Sequence, residues 1–209
     1  DWRFAAPAPA TNTPEFRAWF KDSKVVDEAG KPLVVYHGSQ KPGHTIFEPR
    51  SVSKIGTGEA VSGSGVYFSE QPDYASYRAR IPVGDPSSEY AGAVYPAYLS
   101  IQNPFIRGES TWSDEAMAIA ESMLTEQVDA FWAKDQVAKL NIQNTLLESV
   151  LSPDQVTELL QSQGYDGVKD GGNWVAFKPT QIKSATGNVG TFDPANPDIR
   201  FAAPSRIEM

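Results

Sequence analysis

Val34-Val35-Tyr36-His37-Gly38-Ser39 is the stretch on which the fold turns. Leu33 to Tyr36 is rich in β-branched and aromatic residues and lacks helical spacing, so it predicts a buried strand. That strand runs into His37, Gly38 and Ser39, which places an imidazole, bare backbone and a hydroxyl at its carboxyl end. Such parts suit the grip of a polar ligand. The chain has only two histidines, and the plainer alternative for His37 is a core imidazole satisfied by a backbone carbonyl.

Upstream, Thr13 caps a helix that opens at Pro14, and Phe16, Trp19 and Phe20 form its apolar face. Val25-Val26 predicts a short strand, turned by Asp27 to Pro32 into a hairpin with the strand that carries His37. Downstream, Gly56, Gly58, Gly63 and Gly65 punctuate a small polar stretch. It matches neither Gly-x-Gly-x-x-Gly nor a P-loop, so it reads as a surface loop before it reads as a phosphate cradle. Gly65 to Ser69 is a second strand, and Gln71 to Arg80 a helix with Pro72 in its first turn. Tyr74 and Tyr77 share a face of that helix, as packing residues or as the wall of a pocket.

The stretch 81–92 is a loop, and Ala93 to Ile101 is a long strand in which Pro96 predicts an edge or a bulge. A helical region starts at Ser113 and continues with breaks to about residue 150. Ser152 to Gln155 is a capping box for a helix buried through Val156, Leu159 and Leu160 and ended by Gly164. Strands at 165–168 and 174–177 flank the Gly171-Gly172 turn, and 181–185 adds another. The tail, rich in Gly, Asn, Pro and Asp, should wrap the surface. The interleaving predicts an α+β domain built around a sheet.

Composition narrows the classes. Hydrophobic content of 40% and charged content of 21% over 209 residues are those of a globular domain. No apolar run is long enough for a membrane span, and no secretion signal is visible. Without cysteine, and with two histidines outside any His-Glu-x-x-His spacing, a metal site is not expected. The net charge of −8, with Lys and Arg scattered, argues against stable nucleic-acid binding. Asp1-Trp2-Arg3-Phe4-Ala5-Ala6-Pro7 and Asp198-Ile199-Arg200-Phe201-Ala202-Ala203-Pro204 are nearly one phrase, as a linker recurring between modules of a longer polypeptide would be. The expected division is a linker at 1–12, a folded domain at 13–188 and a wrap with linker at 189–209.

The order of these pieces resembles the diphtheria-toxin-like and poly(ADP-ribose)-polymerase-like branch of ADP-ribosyltransferases, recognised by a His, Tyr, Glu trio. More narrowly, Val34 to Ser39, Tyr98 to Pro104, Gln181 to Asn188 and Asn196 to Phe201 look like the ADP-ribosyltransferase modules of phage-encoded polyvalent proteins. The resemblance implies a split β-sheet core with peripheral helices and an NAD cleft. It implies His37 on a ribose hydroxyl, the Gly38 backbone on the nicotinamide amide, and Ser39 supporting that end. Tyr67 would begin the wall behind the ring and Tyr77 would stack on it, with Tyr74 as the substitute.

In that branch a glutamate begins the late strand, whereas Asn173-Trp174-Val175-Ala176-Phe177 puts Asn173 at the position. Asn173 can hydrogen-bond but cannot ionise, so the acceptor brings its own base, Asp166 or Asp170 substitutes, or the module binds NAD without turning it over. Asp166 also suits a simple turn cap. The expectation is an NAD-dependent mono-ADP-ribosyltransferase, a phage-delivered toxin or effector acting in the bacterial cytoplasm on a host protein or RNA. The rivals are a silent NAD- or ADP-ribose-binding module and a metal-free ribonuclease.

Overall fold

A computed structural model of the chain describes residues 11–49, 62–80, 92–126, 132, 135 and 151–200. Expectations for Gly56 and Gly58, for 81–91, for most of the helical region past 126, and for the end phrases at 1–10 and beyond Arg200 lie outside the described residues.

Helix α1 (Pro14–Phe20) starts as its sequence dictates: Phe16 N–H donates to the Thr13 hydroxyl at 3.2 Å, and Pro14 fills a position that needs no donor. Strands β1 (Val35–Ser39) and β2 (Val66–Ser69) precede α2 (Pro72–Arg80), and β3 (Ala93–Leu99) and β4 (Pro104–Ile106) precede α3 (Asp114–Thr125). Helix α4 (Pro153–Ser162) carries the complete capping box of Ser152 and Gln155. It closes in a Schellman turn, with Gly164 at φ 83° and Tyr165 N–H on the Leu160 carbonyl at 3.0 Å. Strands β5 (Gly167–Asp170), β6 (Asn173–Ala176) and β7 (Ile182–Ser184) complete the set, a short 3-10 turn (Pro179–Gln181) leading into the last.

The strands form one seven-stranded sheet in the order β4-β5-β6-β2-β1-β3-β7. All neighbours are antiparallel except β4 and β5. With four helices among the described residues, the architecture is the α+β one expected. Helices α3 and α4 cover Phe105, Val168 and Val175 near one end of the sheet, and α1 covers Tyr98 at the other. There Phe16 stacks on Phe20 at 5.0 Å and meets Tyr98 and Phe192 edge-on, contacts of about 0.5–1.5 kcal/mol each. Between them lies a third cluster, including Val35, Phe68, Leu99, Trp174 and Ile182, which bridges β1, β2, β3, β6 and β7.

Three readings change. Val25 and its neighbours do not form a strand with β1; one bridge, Val26 to Pro32, remains of the hairpin, while β1 lies between β2 and β3. Long-range ladders there outweigh the local partner, and the strand runs on to Ser39, so His37 sits mid-strand instead of past its end. Strand β3 is interior despite Pro96. Its ladder to β7 spans Ala97 to Leu99, so the missing donor falls just past that ladder's end. The tail does wrap, but it also penetrates: Phe192 and Ile199 are buried, and the amine of fully buried Lys183 donates to the Asn196 and Asp198 carbonyls. Burial pushes that amine's pKa down, against an upward pull from Asp193 and Asp198.

Candidate active site

The sheet is continuous at only one point between its halves. β1 and β2 pair at Tyr36 opposite Ser69 and then splay apart. Pro96 offers its carbonyl to Ala185 on the β7 side, turning its peptide edge away from β1. Tyr36, opposite Pro96, therefore points its peptide groups toward β2, and by the two-residue period Gly38 does the same. Continued pairing would have set Gly38 against Tyr67. Instead the strands part, and the His37 Nδ1–H donates to the Tyr67 carbonyl across the gap at 2.7 Å. That bond is the backbone satisfaction foreseen as the plain alternative, but it is made at a cleft and not in the core.

The cleft encloses about 750 Å³, in the range of ordinary ligand sites. Residues from both sheet halves line it, including His37, Gly38, Ser39, Tyr67, Ser69 and Asn173, and α2 supplies Tyr74, Ala75 and Arg78 as a wall. The wall sits very close. A Cβ on Gly38 would lie 1.9 Å from the Ala75 carbonyl oxygen, and one on Gly92 2.0 Å from that of Ala79. Glycine at 38 is thus needed for helix packing as much as for any ligand.

Alternation and register sort the lining residues by face. Tyr36, Ser69, Asn173 and Asp170 are successive cross-strand partners, so they form one polar row across β1, β2, β6 and β5. Tyr67 shares that face, with its hydroxyl donated to the Gly63 carbonyl and its ring against the α3–α4 cluster. His37 belongs to the opposite face, its ring packed against Phe47 at 4.9 Å and Phe68 at 5.5 Å. The gap between the strands is what brings the imidazole and the polar row to one hollow.

Of the two tyrosines on α2, Tyr74 lines the cleft and Tyr77 does not; Tyr77 is 63% exposed. Of the two aspartates, Asp166 is spent on structure, accepting the Gln102 and Asn103 N–H groups at 2.8 Å each. Asp170 lines the cleft, held by Arg107 at 2.9 Å and by the Ser62 hydroxyl at 3.3 Å.

A family model described as ADP-ribosyltransferase in polyvalent proteins matches residues 27–192. The chain belongs to that family. No curated protein and no solved structure matches it.

For a polyvalent-protein ADP-ribosyltransferase domain, two lining residues stand out that the sequence did not single out. His44 Nε2 and the Ser39 hydroxyl share a hydrogen bond at 2.9 Å, and the His44 N–H donates to the Tyr95 hydroxyl. Ser39 is thereby tied to the loop over the cleft, and both of the chain's histidines reach one site. Glu48, on the same loop, also lines the hollow. The scarcity of histidine was the one available hint for His44; nothing local marks Glu48. Among the described residues, no group of His, Asp and Glu is arranged to hold a metal ion, and no helix is long and apolar enough to cross a membrane.

Proposed function

We propose that this domain is an NAD-dependent mono-ADP-ribosyltransferase of the His-Tyr-Glu branch with Asn173 in the acid's place. It would cleave the nicotinamide–ribose bond and pass ADP-ribose to a host macromolecule. The observation that carries the reading is the split itself: the Gly38 peptide edge and the His37 ring meet in one cleft where β1 leaves β2. Gly38 N–H and C=O suit a planar carboxamide, and His37 suits a ribose hydroxyl. Ser39, held by His44, would support the nicotinamide end. Tyr67 forms the back of the ring site, and Tyr74, the lining member of its pair, closes it in place of Tyr77.

NAD supplies a pyridinium that departs neutral, so its leaving group needs no proton. The protein's part is orientation and electrostatics, the main sources of such acceleration. An amide at Asn173 argues against chain elongation, which relies on activating a ribose hydroxyl. Phage delivery to a bacterial cytoplasm, as a toxin or effector module of a longer polypeptide, and a host protein or RNA as acceptor complete the proposal.

Incubation with labelled NAD and bacterial lysate tests it. Wild type should release nicotinamide and label an acceptor, and His37→Ala should lower release by about 100-fold or more. Asn173 gives the second reading its footing, a silent NAD-binding module. Tight NAD binding without release, in lysate as in buffer, would establish that reading and remove the transferase.

A further inference from the structure

We propose that Asp170 is the general base of the transfer, a catalytic carboxylate set one strand away from Asn173. The assignment rests on the transferase reading and names the group that takes the acceptor's proton. Transfer to a hydroxyl or to water breaks the C1′–N bond, whose electron pair leaves with neutral nicotinamide. The acceptor oxygen then bonds C1′ and must shed a proton. A positioned base within hydrogen-bond reach is worth about 10²–10⁴-fold in such a step.

The described lining residues offer four groups of suitable type: His37, His44, Glu48 and Asp170. His37 uses Nδ1 to bridge the split, and its ring packs on Phe47 and Phe68. His44 shares its Nε2 with Ser39. Glu48 is an exposed side chain on an irregular loop. Asp170 is the carboxylate that stands on a strand, β5, and it is held there by both Arg107 and Ser62.

Its placement follows from the backbone. Gly171-Gly172 closes a two-residue hairpin, so Asp170 and Asn173 are directly opposed. Directly opposed side chains share a face, with Cβ atoms about 4.5–5.5 Å apart. The row continues through Ser69 to Tyr36 beside the split. Asn173 thus orients by hydrogen bonding while its neighbour holds the charge.

Nicotinamide release and the NAD dissociation constant, measured on wild type, Asp170→Asn, Asn173→Glu and the double variant, test the assignment. Asp170→Asn should slow release about 100-fold with NAD affinity within about threefold of wild type. Adding Asn173→Glu to it should restore at least about tenfold, by moving the carboxylate across one strand. Asp170→Ser is read in the same way if the Asn variant does not fold. Unchanged release in the charge-free variant, or affinity lost in parallel with rate, overturns the proposal. Wild type that releases nothing removes the transferase reading and Asp170's role together; His37-dependent release that Asp170→Asn matches removes Asp170 alone.

Discussion

The two faces of the sheet at the split make opposite use of the same strands. Behind it, Val35, Phe68, Leu99, Trp174 and Ile182 belong to one apolar cluster that spans the halves. In front, the residues next to them in sequence form the polar row of Tyr36, Ser69 and Asn173, and the ladder is left open. Backbone pairing does not hold the halves together, since they meet at a single register pair. Side-chain burial on the rear face does, and it lets the front stay parted. Period-two alternation is what allows one sequence to specify both surfaces.

The largest test of this contrast is Trp174→Ala. Trp174 is 1% exposed on the rear face and donates its indole N–H to Glu70 at 2.9 Å. Its truncation should cost about 3–5 kcal/mol in denaturant unfolding. A loss under about 1 kcal/mol would mean that something other than the rear cluster joins the halves. Gly38→Ala comes next, on the front. The added methyl meets the Ala75 carbonyl, so α2 must back away, costing about 1–3 kcal/mol. Because α2 carries Tyr74, NAD affinity should fall with it; a stable variant with intact affinity would show that the wall can yield.

The smallest effect lies away from the split, where Tyr98 on β3 opposes Lys183 on β7. Burial lowers the Lys183 pKa from 10.5, so the unfolded chain binds that proton more readily and stability rises with pH through the window below 10.5. Burial raises Tyr98 from 10.0, so the folded state keeps its proton longer and stability falls as pH climbs past 10.0. Thermal melts should show Lys183→Met flattening the rise and Tyr98→Phe the fall. Nicotinamide release should ignore both, or the edge is coupled to the cleft.

Local signals were legible where local chemistry decides. The Ser152 capping box, the Gly164 terminus and the Gly171-Gly172 turn each satisfy backbone groups within a few residues, and each stands where the sequence put it. Once that turn is granted, the opposition of Asp170 and Asn173 follows too. Strand β1 extends past Tyr36 to Ser39 although His and Gly are weak strand formers by composition, because β3 draws them into a ladder. The tyrosine pair was ambiguous because a helix period gives a shared face and not the direction it looks. Ala75 and Ala79, seated against Gly38 and Gly92, fix that rotation. Tyr77 then lies about 180° from the seated stripe and Tyr74 on its flank. His44 was illegible, since its place depends on Tyr95, fifty-one residues away.

Ile199 has a reach out of proportion to its size. Its carbonyl accepts from the Ser184 N–H on β7, the last strand of the sheet, and its own N–H donates to the Thr45 carbonyl, two residues before Phe47. One tail residue thereby staples the sheet's border to the flap over the hollow. A fragment cut at residue 192, where the family match stops, would keep every residue proposed to touch NAD and lose the clasp that sets the flap's posture. An inert preparation of that length would report on the missing clasp before it reported on the chemistry.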